Sequence, residues 1–217
     1  MALGSADVLR EGLVSAPPKT VLEVPEAEAE AIREAVRHAD VGGLGPGRAR
    51  AELNHVPGLV ALLGDERVSG PIYDLPRPID TGSITRWVAE NQAQALAGDG
   101  LLFVTLDDAG QVAGYSKVTV WPDRSAAELA GAVRADRQNS GRGSAGMAHT
   151  FGWIFEALGV RMMCLTAALD NARVQKGIDA AGFVRMGERD AVRPDGTIRR
   201  SAYWEMTRDD WRMRHRL

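Results

Sequence analysis

The sequence of 217 residues contains a single cysteine, Cys164, and few aromatic residues, which make up 6% of the chain. One cysteine cannot form an internal disulfide framework, so a reducing, cytoplasmic setting is predicted. The low aromatic content offers no stacking platform for single-stranded nucleic acid. No apolar run approaches the roughly 18 residues that a membrane-spanning helix needs, so no membrane partner is expected.

The charges are nearly balanced, because 26 Lys+Arg against 29 Asp+Glu give a formal net charge of −3. This balance provides no general attraction to nucleic acid, and no nucleic-acid partner is expected. His38, His55 and His215 lack the spacing of metal ligands, so no metal site is predicted. With 45% apolar and 25% charged residues, the composition is that of an ordinary globular protein.

The first residues do not have the pattern of a targeting signal. Asp7, Arg10 and Glu11 interrupt the apolar stretch that a signal peptide requires. We therefore predict a flexible tail over residues 1–18 and a single domain over residues 19–217.

Helical patterns dominate the first part of this domain, and strand patterns follow. We predict a short strand from Thr20 to Val24 and helices over about Pro25–His38, Arg48–Leu63 (interrupted near Pro57) and Thr81–Ala97. From residue 101 the strands Leu101–Leu106, Gln111–Val120 and Ala127–Val133 form an antiparallel meander, and later strands are expected over Arg161–Thr166, Val184–Arg189 and Ser201–Met206. The predicted fold class is α/β (α+β), with a mixed, mostly antiparallel central sheet flanked by helices.

The most informative segment joins the third strand of the meander to the next helix. It contains Gln138-x-x-Gly141-x-Gly143. The helix after it carries one apolar stripe, which is made of Met147, Phe151, Ile154, Phe155 and Leu158. Glycines let a backbone approach an anion, and the unpaired N–H groups of a helix N-terminus point towards it. The segment is typical of a phosphate-binding turn, although a plain glycine turn has the same composition.

The glycines also match the dinucleotide-binding fingerprint, as Gly141-x-Gly143-x-x-Gly146. A Rossmann turn follows directly on a parallel strand, whereas residues 134–140 intervene here after strands predicted to be antiparallel. The first acidic residue beyond the next strand, Asp170, comes later than the position about 20 residues on where the ribose-binding acid is expected. The context therefore disfavours a nicotinamide dinucleotide.

The glycine turn and its surroundings resemble the GCN5-related N-acetyltransferase family. The family hallmark is Arg/Gln-x-x-Gly-x-Gly/Ala at a strand-to-helix turn, which Gln138 to Gly143 match. An amphipathic helix, a strand, Asn171, a short helix and Gly182-Phe183 then follow in the family's order. The resemblance covers about Leu53 to Trp211.

Two further features are most similar to the ribosomal-protein-alanine N-acetyltransferase branch of that family. They are the helix that carries Trp87 and the Tyr203-Trp204-Glu-Met-Thr end. The resemblance implies the acyl-CoA N-acyltransferase fold, with acetyl-CoA as co-substrate. It also implies transfer of an acetyl group to a primary amine acceptor, which is a protein N-terminus or a small-molecule amine.

The same resemblance assigns roles to particular residues. An alkyl amine is mostly protonated at neutral pH, so the reaction needs a base, and Glu128 lies on the strand where the family often carries one. A backbone N–H near Gly131 to Val133 is the expected oxyanion donor, because the resemblance implies that the next strand splays away there and lets the pantetheine arm insert. The expected cofactor-binding residues are Val133, Gln138, Asn139, Ser140, Gly141, Arg142, Gly143, Ser144, Asn171 and Arg173. Asn171 is equally well suited to be a helix N-cap.

One position departs from the family pattern. Family members often carry a tyrosine seven residues after the asparagine, placed to protonate the thiolate, but this chain has Ile178 there. Tyr203 is the catalytic candidate for that acid, with Ser140, Tyr115 and solvent as other possibilities. The departure leaves open that the chain is a non-catalytic acyl-CoA-binding or regulatory module. Also open is whether the extra N-terminal strand and helix cover a sheet edge or build a homodimer contact.

Overall fold

The fold is a seven-stranded sheet with helices on both faces. The computed structural model describes residues 17–138, 143–192 and 196–215. The elements in chain order are α1 (Glu26–Arg37), β1 (Arg48–Arg50), α2 (Val56–Gly64), α3 (Glu66–Ser69), α4 (Thr81–Ala97), β2 (Gly100–Leu106), β3 (Val112–Trp121), β4 (Ala126–Val133), α5 (Gly143–Ala157), β5 (Met162–Ala168), α6 (Ala172–Ala180), β6 (Val184–Val192), β7 (Ile198–Thr207) and α7 (Arg208–His215). Short 3₁₀ turns join several of them.

The strands lie in the order β1-β2-β3-β4-β5-β7-β6. Every neighbouring pair is antiparallel except β4 and β5, which run parallel. The parallel pair is connected through α5, as a parallel pair requires a crossover. The predicted fold class, a mixed and mostly antiparallel sheet flanked by helices, is confirmed.

The predicted strand from Thr20 to Val24 is wrong. The backbone N–H groups of Lys19 and Thr20 donate to the side-chain carboxylate of Glu205, and the carbonyl of Thr20 accepts from Arg124. These backbone groups bond side chains, and residues 20–24 join no sheet ladder.

The predicted helix over Arg48–Leu63 is wrong in its first half. Arg48–Arg50 forms the edge strand β1, which pairs with Phe103–Thr105 of β2. The helix begins only at Val56, which places Pro57 in its first turn. Proline is tolerated there because the first N–H groups of a helix have no intrahelical partner.

The two faces of the sheet carry separate cores. On one, which we call the α5 face, α1, α5 and α7 pack against side chains such as Phe103, Met163 and Trp204. On the other, the α4 face, α2 and α4 cover Leu102, Val104 and Tyr115. The extra N-terminal helix α1 therefore lies on a face of the sheet rather than at its edge.

The predicted apolar stripe of α5 is confirmed. Phe151, Ile154, Phe155 and Leu158 are all buried in the core of the α5 face. The chain leaves the helix through Gly159, whose φ of +75° is in the left-handed region that favours glycine. This packing fixes the direction in which the N-terminus of α5 meets the end of β4.

Candidate active site

The parallel strands β4 and β5 separate after three residue pairs. Ala126, Ala127 and Glu128 pair with Met162, Met163 and Cys164. Beyond Glu128, β4 remains paired with β3 as far as Val133, and β5 remains paired with β7 as far as Ala168. The facing edges of the two strands thus form a V-shaped opening, as the resemblance implied.

The open end of the V carries exposed apolar side chains. Val133, the last residue of β4, is 46% exposed, and Leu169, which follows β5, is 43% exposed. Unpaired strand edges and flanking apolar groups suit an extended ligand that has amide groups and an apolar stem. The opening therefore fits a pantetheine arm.

Four of the predicted cofactor-binding residues meet at this open end. The side-chain amide of Gln138 donates to the carbonyl of Val133 at 3.1 Å and accepts from the Arg173 guanidinium at 3.4 Å. Asn171 accepts from the backbone N–H of Val174 at 3.2 Å, so it is the N-cap of α6. Gln138 thus links the end of β4 to the helix that follows β5.

The remaining predicted cofactor-binding residues belong to the glycine turn. Asn139, Ser140, Gly141 and Arg142 lie outside the described residues. Helix α5 begins at Gly143, with Ser144 in its first turn. The helix thus begins five residues after Gln138 in the sequence.

Glu128 lies at the closed end of the V. It faces the α4 side of the sheet and is only 8% exposed. The Thr166 hydroxyl on β5 donates to Glu128 Oε1 at 3.0 Å. A buried carboxylate is costly unless it is hydrogen-bonded, and this bond both offsets that cost and orients the group. Thr166 was missed in the sequence, where its only signal is a hydroxyl within an apolar strand.

Glu128 is the first of three residues that form a row across β4, β5 and β7. Glu128, Cys164 and Glu205 occupy neighbouring positions on β4, β5 and β7. Burial raises the pKa of the Cys164 thiol well above its usual range, and the nearby Glu128 carboxylate acts in the same direction. The thiol is therefore protonated at neutral pH and acts as a small apolar group.

The Glu205 carboxylate is buried and accepts several hydrogen bonds. Its donors are the backbone N–H groups of Lys19 (2.7 Å) and Thr20 (3.2 Å), the Thr20 hydroxyl and the Tyr203 hydroxyl (2.7 Å). Burial alone raises the pKa of Glu205, but the bonds from Thr20, Tyr203 and Lys19 outweigh it and leave the pKa below its usual value. Glu205 is therefore ionised at neutral pH.

The hydroxyl of Tyr203, the predicted acid, is already engaged. It donates to Glu205 and lies 3.3 Å from the Lys19 backbone N–H, which donates to it. Burial raises the pKa of Tyr203 above its usual value, which makes it a weaker acid. Of the other candidates, Tyr115 is buried with no hydrogen-bond partner among the described residues. Ser140 lies outside them.

The loop that follows α3 forms an arch, which crosses the α4 face above the V. At one end the loop after α3 is held on β3 by an ion pair between Asp74 and Lys117 at 3.2 Å. At the other end, the Tyr73 hydroxyl donates to the carbonyl of Thr197 at 2.8 Å, and Arg199 donates to the carbonyl of Pro71 at 2.8 Å.

The Arg199 guanidinium also stacks 4.3 Å above the Tyr73 ring. Since β4 and β5 lie between β3 and β7, the arch spans both strands of the V. The partners that meet at its β7 end are more than 120 residues apart in sequence, and no local pattern indicates the arch.

Within the described ranges, no group of three or more His, Cys, Asp or Glu side chains could hold a metal ion. No helix in that part of the chain is long and apolar enough to cross a membrane.

Comparison with known proteins places the chain in a family. The model of the acetyltransferase (GNAT) domain matches residues 49–184, which is more than half of the chain. The protein belongs to the GNAT acetyltransferase family and is an N-acetyltransferase by that membership. A comparison with curated proteins finds no match.

Solved structures share the fold. Ribosomal-protein-S5-alanine acetyltransferase from Vibrio fischeri is 15% identical with a TM-score of 0.64, over 76% of this chain and 93% of that one. Mycobacterium smegmatis RimJ in complex with CoA-disulfide is 17% identical with a TM-score of 0.63, over 75% of this chain and 82% of that one. A variant of spermidine N-acetyltransferase SpeG from Vibrio cholerae is 15% identical with a TM-score of 0.62, over 77% and 98%. At these identities the likeness shows the fold alone.

Proposed function

We propose that this protein transfers the acetyl group of acetyl-CoA to a primary amine, with Glu128 as the general base. The observation that carries the proposal is the position of Glu128. Glu128 is the last residue of β4 that pairs with β5 before the two strands separate, and its side chain lies on the face of the sheet opposite α5. A carboxylate there lies beside the closed end of the opening, where the acyl end of an inserted arm would come.

The chain's own residues supply the proton chemistry. Acetyl-CoA supplies an activated acyl carbon. Glu128 takes one proton from the ammonium group, directly or through one water, and the free amine nitrogen bonds to that carbon. The bond from carbon to sulfur breaks, the nitrogen gives its second proton to solvent, and CoA leaves as a thiolate that takes a proton from solvent. A β4 backbone N–H between Gly131 and Val133 that faces the opening donates to the carbonyl oxygen, and a preorganised donor of this kind contributes about 3 kcal/mol.

The cofactor is held at the open end of the V. Gln138, Asn171 and Arg173 lie around the entrance, and Val133 provides an apolar contact. The phosphates bind at the N-terminus of α5 and at the glycine motif Gln138-x-x-Gly141-x-Gly143, whose residues 139–142 lie outside the described residues. The expected setting is the cytoplasm, where acetyl-CoA is present.

The acceptor reaches Glu128 from the α4 face. The arch formed by Tyr73 and Arg199 roofs this approach, and Glu128 itself is 8% exposed. An amine at the end of a narrow, flexible chain can pass below such a roof, whereas an amine on a flat protein surface cannot. This supports a protein N-terminus or a linear small-molecule amine as the acceptor.

The direct test is an acetyl-transfer assay over a panel of primary amines, with wild type and Glu128→Gln. The variant should lose about 10²–10⁴-fold in turnover while its acetyl-CoA affinity is unchanged. Glu156→Gln is the matched control, because Glu156 lies on α5 and pairs with Arg212 away from the V. Equal turnover in wild type and Glu128→Gln would remove Glu128 from the mechanism.

A second candidate, a non-catalytic acyl-CoA-binding module, is favoured by one observation. Ile178 replaces the family's frequent tyrosine, and it is 2% exposed in the core of the α5 face. A wild-type protein that binds acetyl-CoA but acetylates none of the amines in the panel would support this alternative.

A further inference from the structure

The segment over residues 17–24, which we call the N-terminal strap, precedes the family domain. The family match begins at residue 49. The strap nevertheless lies on the face of the sheet that carries Glu128, since it contacts Glu205 and Tyr203 of β7. It therefore adds a surface next to the candidate site that the family domain does not supply.

Several side chains hold the strap along its length. Arg189 donates to the carbonyl of Pro17 at 2.9 Å, and Arg124 donates to the carbonyl of Pro18 at 3.0 Å. Further along, Leu22 packs against the buried cluster that contains Cys164 and Tyr203. The strap thus has a defined place on the sheet.

The central anchor is Glu205, which is 4% exposed. Its carboxylate accepts from two strap residues, Lys19 and Thr20, and from Tyr203 on the same strand. Hydrogen bonds to an ionised acceptor are stronger than neutral ones, and this carboxylate accepts three of them from the strap.

The strap is close to the proposed base. Tyr203, which contacts the Lys19 backbone, pairs across the sheet with Thr166, and Thr166 bonds Glu128. Glu205 lies two strands from Glu128 in the same row, which is roughly 10 Å at the usual strand spacing. The strap and the proposed base thus lie close together on the same face of the sheet.

We propose that the strap is one wall of the acceptor site and a determinant of which amines reach Glu128. Glu205 is the positioning residue that holds this wall against β7. The inference rests on the proposed function, because it assumes that the acceptor enters on the α4 face. The strap bounds the acceptor's approach to Glu128 on the β7 side, and the arch covers this approach from above.

The test compares steady-state kinetics of wild type, Thr20→Val and Glu205→Gln with one linear amine acceptor. Thr20→Val removes the hydroxyl donor and keeps the side-chain shape, and Glu205→Gln removes the charge. We expect the acceptor KM to rise about fivefold to tenfold, while kcat and the KM of acetyl-CoA change less than twofold. Glu156→Gln on the other face is the control and should leave both KM values unchanged.

Hydrogen exchange supplies a second measurement on the wild-type protein. Saturation with the acceptor should slow exchange of the Lys19 and Thr20 amides, and acetyl-CoA alone should not. A merely structural strap would lower the thermal unfolding temperature of the variants without moving the acceptor KM.

The outcomes separate the two proposals. Wild-type transfer with an unchanged acceptor KM in both variants would overturn the assignment of the strap alone. Absence of transfer to every amine by the wild type would overturn the proposed function, and the strap's assignment with it. A raised acceptor KM together with acceptor-dependent protection would support both.

Discussion

Thr166 donates its hydroxyl hydrogen to Glu128 Oε1 at 3.0 Å, across the point where β4 and β5 separate. The bond joins the two arms of the V immediately beyond their last paired row. A donor to a carboxylate favours its ionised form and restricts its rotation, and both effects suit a general base. Thr166 is therefore expected to position Glu128.

Replacing Thr166 by valine removes the donor but conserves the shape of the side chain. We expect kcat to fall about threefold to tenfold, because the carboxylate loses its orientation and its ionised form loses a partner. Thr166→Ser keeps the hydroxyl donor and should retain most of the wild-type kcat. Steady-state kinetics of wild type and both variants measure these effects. An unchanged kcat in Thr166→Val would contradict the positioning role.

The bridge made by Gln138 leads to a prediction about cofactor affinity. Gln138 links Val133 to Arg173 across the mouth of the V, so Gln138→Leu should free the end of β4. We expect acetyl-CoA to bind about threefold to tenfold more weakly, as measured by titration calorimetry. The matched control is Gln92→Leu, since Gln92 makes a similar bond to the Ala51 carbonyl, away from the V. Equal affinity in the two variants would count against the assignment of Gln138.

Much of this fold was predictable because its signals are local. The stripe from Phe151 to Leu158 and the turn at Gly159 specify α5 within a single segment. The ordered motif from Gln138 to Gly182-Phe183 resembles the family and so implied the V, which the β4–β5 pairing displays.

The features that the sequence did not predict depend on contacts between distant segments. Residues 20–24 were predicted to form a strand, but the backbone N–H groups of Lys19 and Thr20 donate to the carboxylate of Glu205, and the segment pairs with no neighbouring strand. The arch depends on Tyr73 meeting Thr197, and the row beside Glu128 depends on the register of β7. Neither relationship has a periodic or a compositional signal.

The buried position of Ile178 predicts the result of restoring the family's tyrosine. Ile178 is 2% exposed within the core of the α5 face, so the larger ring of Ile178→Tyr would overpack it. We expect a loss of about 1–3 kcal/mol in the free energy of unfolding and no gain in kcat. Urea denaturation and the acetyl-transfer assay measure the two effects. A higher kcat would show that a hydroxyl at this position reaches the leaving thiolate.

The lowered pKa of Glu205 makes the stability of the protein depend on pH. A carboxylate with a lower pKa in the folded state than in the unfolded chain stabilises the fold above the unfolded pKa, about 4.3. This stabilisation is lost as the pH falls through the folded-state pKa, because protonation removes the acceptor of the bonds from Lys19, Thr20 and Tyr203.

Glu205→Gln should therefore be less stable than wild type by about 2 kcal/mol at pH 7, and the difference should shrink steadily below about pH 4. Urea denaturation of both proteins from pH 7 to pH 3 measures this difference. Glu188→Gln is the matched control. Glu188 lies on the edge strand β6 and makes an exposed ion pair with Arg200, so this variant should differ little from wild type in stability at every pH. The stability difference between wild type and Glu205→Gln could instead stay constant from pH 7 to pH 3. That result would mean that packing, and not the ionised carboxylate, holds the strap.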